Sequence, residues 1–361
     1  MDFALTEAQH DLAGLTHRIV TDAAENATAE PHGSGGLDRT LWSKLASAGI
    51  LDAGLPSSVG GGGFGLLEQC SVLIELGGAA AQVPFASCIT AAASALAECG
   101  SAEHTEQWLL PVIRGKRLLT AVVPDAATQC GFTAEPADGG WRLRGSQTAV
   151  GAAAFADGFL LAADTPDGPG VFLVARDTPG FEITEQSVVD SADAGLVEAK
   201  DVLLAQQDLL EQPGGDLAER LRQRATVGYC AYQLGVLRQA LHLTAEHANT
   251  RTQFDHVLGS FQAVRQRLAD AYIDVEAVRL SLWQAAAQLA SGKPAAEQVA
   301  TAKFWASEAG HRVAHSAVHI HGGVGIDVDY PLHRYFVAAK RTEFALGGAT
   351  AQLRALGEIL A

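Results

Sequence analysis

The sequence RTQFDHVLGSFQ, at residues 251–262, lies between two segments of helical pattern. An arginine and a nearby amide at a helix junction could hold a pyrophosphate through charge-assisted hydrogen bonds. Phe254 and Phe261 would offer flat apolar surfaces to a ring. Taken alone, the segment is explained equally well as an interhelical turn with a surface arginine.

Two glycine-rich segments lie on either side of it along the chain. HIHGGVGI, at residues 319–326, could present backbone N–H groups to a phosphate or a ribose, and a tight helix-to-loop turn is an equal alternative. LPSSVGGGGFG, at residues 55–65, precedes an apolar helix but lacks the lysine and the preceding strand of a P-loop. For that segment alone, a flexible loop is the favoured interpretation.

Three zones of different pattern surround these segments. Apolar residues have helical spacing up to about residue 114 and again after residue 215. Between them, β-rich runs are separated by Pro, Gly and Asp clusters; the runs are residues 118–123, 141–143, 158–163, 171–175 and 196–204. One long helix is predicted to have an apolar face formed by Phe261, Val264, Leu268, Tyr272, Val275 and Val278.

Charge and cysteine usage exclude several functions. The 361 residues include 25 basic and 41 acidic side chains, a formal net charge of −16, which would repel nucleic acid. The five cysteines are scattered without CxxC pairing, which indicates a reducing cytoplasm. The N-terminus has no basic region, and the most apolar stretch, residues 83–97, is short and broken by polar residues, so neither export nor a membrane span is expected.

Histidines on one predicted helix raise the question of a metal site. His311, His315 and His319 are spaced four apart, with His321 close behind, and such spacing can chelate a metal. No carboxylate or cysteine is placed nearby in sequence to complete the site, and the glutamate of an HExxH motif is missing. We therefore predict no metal.

The three glycine and arginine segments, in this order and on these zones, resemble the acyl-CoA dehydrogenase family over the whole chain. The resemblance implies an α+β, mainly α fold: an N-terminal helical domain at residues 1–115, a middle antiparallel β domain at 116–212 and a C-terminal four-helix bundle at 213–361. It also implies dimers and tetramers with FAD between subunits, where the neighbour's bundle contributes to the pyrophosphate and adenosine end.

The resemblance further implies which residues of this chain would contact FAD. They are Arg251, Gln253, Phe254, Leu258, Phe261, His319, Gly322 and Gly323. Asp255 replaces a glycine of the family's arginine motif, and His319 replaces the glutamine of its glycine motif.

The sequence departs from the family where the catalytic base is expected. Removal of the substrate's α-proton needs a carboxylate within hydrogen-bond reach, but Leu346 stands at the usual base position and Ala225 at the alternative one. Glu343 and Glu246 are the nearest carboxylates that a displaced register could use. No catalytic residue is therefore predicted in this chain.

The middle zone departs in parallel. Residues 122–129 and 148–151 replace the strand-loop and the aromatic segment that contact the flavin ring in the family, so no ring-binding surface is expected. The arginine and glycine motifs are retained, and residues 327–336 and 346–348 resemble the non-catalytic subunits of heterotetrameric dehydrogenases of steroid-catabolising bacteria.

The resemblance thus implies a partner subunit that holds FAD jointly with this chain in an α2β2 assembly. Steroid side-chain CoA is the expected substrate and an electron-transfer flavoprotein the expected acceptor. Two alternatives remain open: a self-sufficient homotetramer with a displaced base, and a non-enzymatic protein that binds acyl-CoA or assists assembly.

Overall fold

The computed structural model describes residues 4–25, 36–124, 131–211 and 215–361. Its helices are α1 (Glu7–Glu25), α2 (Arg39–Ser47), α3 (Ile50–Ala53), α4 (Leu66–Gly78), α5 (Ser94–Cys99), α6 (Ala102–His104), α7 (Leu110–Ile113), α8 (Leu217–Thr250), α9 (Gln262–Ala290), α10 (Ala296–His321), α11 (Pro331–Phe344) and α12 (Ala349–Leu360). Within the described ranges, none of the helices is long and apolar enough to cross a membrane.

The strands are β1 (Leu119–Val122), β2 (Gly131–Ala137), β3 (Gly140–Gly151), β4 (Gly158–Thr165), β5 (Gly168–Ala175), β6 (Phe181–Glu185), β7 (Ala194–Ala205), β8 (Leu209–Glu211), β9 (Thr252–Gln253) and β10 (His256–Val257). The fold is mainly helical with a central sheet, as predicted. The chain forms two compact units: residues 1–20, 70–81 and 229–361 belong to one, and residues 21–69 and 82–228 to the other. The three-domain division at residues 115 and 212 remains a prediction.

The large sheet has the strand order β6-β7-β3-β2-β4-β5-β8, with β1 beside β4. Two tight turns fix its hairpins: Asp138 and Gly139 join β2 to β3, and Pro166 and Asp167 join β4 to β5. All five predicted β-rich runs coincide with strands. The expectation of an antiparallel sheet is wrong at β4, which pairs parallel with β1 and, at one residue pair, with β2. The connection from β1 to β4 runs through β2 and β3, which allows the parallel pairing.

Aromatic side chains form the core of this sheet. The ring of Trp141 packs edge-on against Phe172 with centroids 5.6 Å apart, and Phe159 packs likewise on Phe181 at 5.0 Å. These side chains come from runs that alternate or are continuously apolar, so their burial provides the main free energy that holds the strands together.

The other unit contains a close crossing of α4 and α8 through glycines. A Cβ atom on Gly235 would lie 1.9 Å from the carbonyl oxygen of Ile74, and one on Gly77 would lie 2.0 Å from that of Tyr232. Any side chain at either position would collide with the facing backbone, so the two glycines set how closely these helices pack.

The predicted apolar face of α9 is wrong at two positions, because Phe261 precedes the helix and Tyr272 is exposed. Val275 and Val278 are buried, whereas the Tyr272 side chain is exposed. The helix has 3.6 residues per turn, and its buried stripe runs instead through Ala271 and Asp274, whose carboxylate pairs with Arg312.

Candidate functional site

An open cleft of about 590 Å³ lies where α8 ends and where the glycine turn follows α10. It is lined by His247, Thr250, Arg251, His321, Gly323, Val324 and Tyr330. Two of the predicted FAD residues, Arg251 and Gly323, are therefore brought together from positions far apart in sequence. Both helices end here, which explains why a short arginine segment and a distant glycine segment form one wall.

The glycines of this wall differ in what requires them. Gly322 has a φ of 68°, a left-handed conformation that favours glycine. Gly323 has no such angle, and a Cβ atom added there would meet nothing within 4 Å. No contact within the described chain therefore demands a glycine at Gly323, and the space above it is open to a ligand.

The remaining predicted FAD residues do not line the cleft: Gln253, Phe254, Leu258, Phe261, His319 and Gly322. Gln253 and Phe254 lie on the β9–β10 hairpin, where the amide of Gln253 donates to its neighbour Thr252. Phe254 is 86% exposed. Leu258 donates its backbone N–H to the carbonyl oxygen of Arg251 at 2.8 Å and so fixes the hairpin against the helix end.

Phe261 and His319 lie outside the cleft for a different reason. Phe261 precedes α9 and packs edge-on against His256 at 6.3 Å. His319 is exposed on α10. Their predicted roles remain predictions, because a ligand held between chains could reach them without touching the cleft.

Three rings form the inner wall of the cleft. His247 and His321 stack with centroids 4.3 Å apart and an interplanar angle of 24°, and Tyr330 meets His321 edge-on at 5.4 Å. His321 is only 6% exposed. Its Nδ1 lies 2.9 Å from the carbonyl oxygen of Ala317, which can only accept, so Nδ1 carries the proton and Nε2 is an acceptor.

Burial lowers the pKa of His321, and burial together with the neighbouring His321 and Arg251 lowers the pKa of His247. Both rings are therefore neutral at physiological pH, and Arg251 is the permanent cation of the cleft lining. The Nε2 atom of His321 is buried, and no group of the described residues is its hydrogen-bond partner.

His247 and Thr250 were not predicted as cleft residues. His321 and Val324 lie in the 319–326 segment and Tyr330 in the 327–336 segment, but none of these three side chains was assigned an FAD contact. One signal was available for His247, which precedes Arg251 by one helical turn and so shares its face of α8. The remaining residues converge only through tertiary structure.

Leu346 occupies a strained turn after α11. Its φ is 57° and that of Gly347 is 91°. The amide of Gln352 donates to the carbonyl oxygens of Leu346 at 3.1 Å and Gly347 at 3.2 Å. The turn is therefore well fixed, but the side chain that it carries is a hydrocarbon, and Ala225 is buried within α8.

The fully buried Lys303 supports the same turn. Its ammonium group donates to the hydroxyl of Ser307 at 2.7 Å and to the carbonyl oxygens of Thr342 and Glu343 at 3.0 Å each. These carbonyls belong to the last turn of α11, where a positive charge is favoured by the helix dipole.

The two displaced carboxylates are both engaged. Glu343 accepts from Lys340 at 2.6 Å and lies 3.3 Å from Nδ1 of His311. Glu246 pairs with His242 at 3.3 Å on the exposed side of α8. Both carboxylates therefore already have partners within the chain, which does not favour a displaced base.

The segment predicted to lack flavin contacts lies at an irregularity of β3. The side-chain oxygen of Gln186 accepts from the backbone N–H of Ala149 at 2.8 Å and from the hydroxyl of Thr148 at 3.0 Å. These donors are thus satisfied within the chain. In the other predicted segment, Val122 ends β1, and residues 125–129 lie outside the described residues.

The histidines of α10 do not belong to a metal-binding group in the described residues. In the described parts of the chain, His, Cys, Asp and Glu side chains form no group of three that could hold a metal ion. The rings of His311 and His315 lie 4.5 Å apart, but His311 is in contact with Lys340 and Glu343.

Comparison with known proteins agrees with this architecture. Residues 6–116 match the family model "Acyl-CoA dehydrogenase, N-terminal domain", and residues 218–361 match "Acyl-CoA dehydrogenase, C-terminal domain". The acyl-CoA dehydrogenase FadE27 of Mycobacterium tuberculosis is 46% identical over 377 aligned positions, covering 100% of this chain and 99% of that protein.

Two solved structures are also similar. The ChsE4–ChsE5 complex from Mycobacterium tuberculosis contains a chain with a TM-score of 0.92 and 45% identity, covering 100% of this chain and 99% of that one. A Tcur3481–Tcur3483 steroid ACAD variant gives a TM-score of 0.87 and 38% identity, with 98% of each chain covered.

Proposed function

Because the chain belongs to the acyl-CoA dehydrogenase family, we propose that it is the non-catalytic subunit of a heteromeric, FAD-dependent acyl-CoA dehydrogenase. In this role it completes the FAD site of a catalytic partner in an α2β2 assembly. The partner provides the base that removes the α-proton of the thioester and the surface that contacts the flavin ring.

The observation that carries this proposal is Leu346 on a turn that is otherwise fully supported. Lys303 and Gln352 hold the backbone around Leu346, so the turn is well fixed although the side chain that it carries is not a proton acceptor. Proton transfer needs an acceptor within hydrogen-bond reach, and leucine has none. Decay of the whole region would not preserve such support.

The cleft fits the pyrophosphate part of FAD. Arg251 supplies a guanidinium group for charge-assisted hydrogen bonds, and the open space above Gly323 allows a ligand to approach the backbone. FAD, when bound, supplies the acceptor for the hydride that leaves the β-carbon. The residues of this chain bind and orient it and move no proton.

The β3 segment does not fit the flavin ring. Gln186 already satisfies the N–H of Ala149 and the hydroxyl of Thr148. Ala149 also has a φ of 55°, which turns the backbone at the place where the family has an aromatic side chain. This asymmetry, with phosphate contacts retained and ring contacts missing, supports a shared FAD site.

Exposed apolar side chains near the cleft support a neighbouring subunit. Phe254, Ile326 and Val328 are each at least 66% exposed. Apolar groups of this size are more stable when another protein surface covers them. The similar chains named above come from two-component assemblies, one of them called a steroid ACAD, so a steroid side-chain CoA is the proposed substrate and an electron-transfer flavoprotein the proposed acceptor, in the cytoplasm.

Co-expression with a candidate catalytic subunit tests the proposal. The chain alone should be colourless, whereas the complex should be yellow and contain half as much FAD as polypeptide. In the complex, Arg251→Ala should lower the FAD content, while Arg238→Ala, at an exposed arginine of the preceding helix α8, should not. Stoichiometric FAD and dehydrogenase turnover in the lone chain would refute the proposal.

A further inference from the structure

The stacked histidines are more than the phosphate contact requires. Arg251 alone could bind a pyrophosphate, yet His247 and His321 present two parallel rings beside it. His247 is half-buried and lines the cleft, so part of its ring stays open to a ligand. His321 lies behind it, with its own ring fixed by the Ala317 carbonyl and by Tyr330.

The inner ring is not optimised for stability alone. The Nε2 atom of His321 is a buried acceptor to which no group in the described part of the chain donates, and leaving such an atom unsatisfied is unfavourable. A phenylalanine would fill the same space without this cost. The pair therefore serves something other than packing, and its common geometry, a flat neutral stack, is suited to binding another flat ring.

The spacing of His247 and Arg251 indicates which class of ligand would carry the stacked ring. Residues one helical turn apart have Cβ atoms about 6 Å from each other. A ligand with an anionic group at Arg251 and a flat base over His247 needs a short linker between them, and the ribose of an adenine nucleotide provides one of comparable length. A bare phosphate or an acyl chain would leave the ring unused.

We propose that the open face of His247 stacks on the adenine base of the dinucleotide whose pyrophosphate Arg251 binds, with His321 holding the imidazole in place. This inference rests on the proposed function and adds one contact to it: the adenine base would lie over His247, beside Arg251. Base–ring stacking of this kind strengthens binding by about tenfold per base.

The test is calorimetric titration of the full chain with ADP and, separately, with inorganic pyrophosphate. The wild-type chain should bind ADP about tenfold more tightly than pyrophosphate. His247→Ala should remove this difference, and His247→Phe, which keeps a flat ring, should preserve it. His242→Ala, an exposed histidine earlier on the same helix, is the matched control and should behave as the wild type.

The inference is overturned if His247→Ala binds ADP as tightly as the wild type, or if the wild type shows no preference for ADP over pyrophosphate, including no binding of either. Arg251→Ala separates the two proposals. If it weakens both ligands while the His247 variants have no effect, the stacking is wrong and the phosphate assignment stands. If it changes neither, the phosphate contact of the proposed function is wrong.

Discussion

The ammonium group of Lys303 is the buried charge on which the Leu346 turn depends. Replacing it by methionine keeps the volume but removes the ammonium donor from the carbonyl oxygens of Thr342 and Glu343, of which only that of Glu343 also accepts from the Ser307 hydroxyl. We expect Lys303→Met to lower the free energy of unfolding by about 3 kcal/mol in urea titrations. The exposed Lys293 is the control, and its methionine variant should change stability by less than about 0.5 kcal/mol. A loss below about 1 kcal/mol at Lys303 would contradict this role.

His321 makes stability depend on pH. Its pKa is lowered by burial, so the unfolded chain binds a proton at a higher pH than the folded chain does. The stabilisation is present above the unfolded value of about 6.5 and is lost as pH falls toward the folded pKa. Unfolding in urea from about pH 7.5 to 5.5 should therefore show a smaller loss for His321→Phe than for the wild type.

The groups around His321 are the same in the wild type and the variant, so a difference in pH dependence can be assigned to His321. His247 and Arg251 from α8 and Tyr330 face the ring, and they are unchanged in the variant. Equal pH dependence of the two proteins would show that His321 is protonated equally in the folded and unfolded states.

Gly323→Ala separates binding from folding. No atom of the described residues lies within 4 Å of the added methyl carbon, so the free energy of unfolding should not fall. In the co-expressed complex the same methyl group would occupy the space proposed for FAD and should reduce FAD content by at least about tenfold. Full FAD content in this variant would place the cofactor elsewhere.

A site residue could be predicted from the sequence where a local motif identified it. Leu346 and Arg251 stand in recognisable motifs, and the structure places Arg251 at a cleft. His247 and Tyr330 were not found, because their significance depends on how two helix ends and a loop converge, and no spacing within one segment encodes that.

The α4–α8 crossing is the place where a single methyl group should have the largest effect on an element. Gly235→Ala would place a Cβ atom 1.9 Å from the Ile74 carbonyl oxygen, so one helix must move. We expect a loss of about 2 kcal/mol in the free energy of unfolding. Gly357→Ala on α12, where nothing lies within 4 Å, should instead stabilise by about 1 kcal/mol. Equal effects of the two substitutions would show that the crossing is not tight.

Helices and strands followed from local pattern, but their pairing did not. Each predicted β-rich run is a strand because its apolar residues and turn signals are local. The parallel partner of β1 depends on a long connection, and the short strands β6 and β8 offer few residues for a pattern. Tyr272 was wrongly predicted on the buried face of α9 because a regular apolar spacing was extended along the helix. The buried positions there are Ala271 and Asp274.

As a whole molecule, the chain is expected to be one half of an active site. Adding a carboxylate by Leu346→Glu should therefore give the lone chain no dehydrogenase turnover, because the β3 segment still lacks a surface for the flavin ring. A steady-state assay with steroid side-chain CoA and an artificial electron acceptor would detect it. Turnover above the wild-type background would mean that this chain can hold a complete flavin.

In the alternative of a self-sufficient homotetramer, Glu343 would be the catalytic base. If its carboxylate acted as a displaced base in a homotetramer, the lone chain would show turnover and Glu343→Gln would abolish it. The ion pair with Lys340 is more consistent with a purely structural role, so turnover of the co-expressed complex should persist in Glu343→Gln. Loss of turnover with unchanged FAD content and unchanged assembly would restore that alternative.

The supported turn around Leu346 also bears on how such an enzyme could change. Its main chain is already shaped by an ammonium group and an amide from two other helices, so grafting a carboxylate there requires no rebuilding of the backbone. What separates this polypeptide from an autonomous catalyst is side-chain chemistry at this turn and along β3. The backbone of the turn is retained, so directed evolution toward an autonomous catalyst could start from this chain.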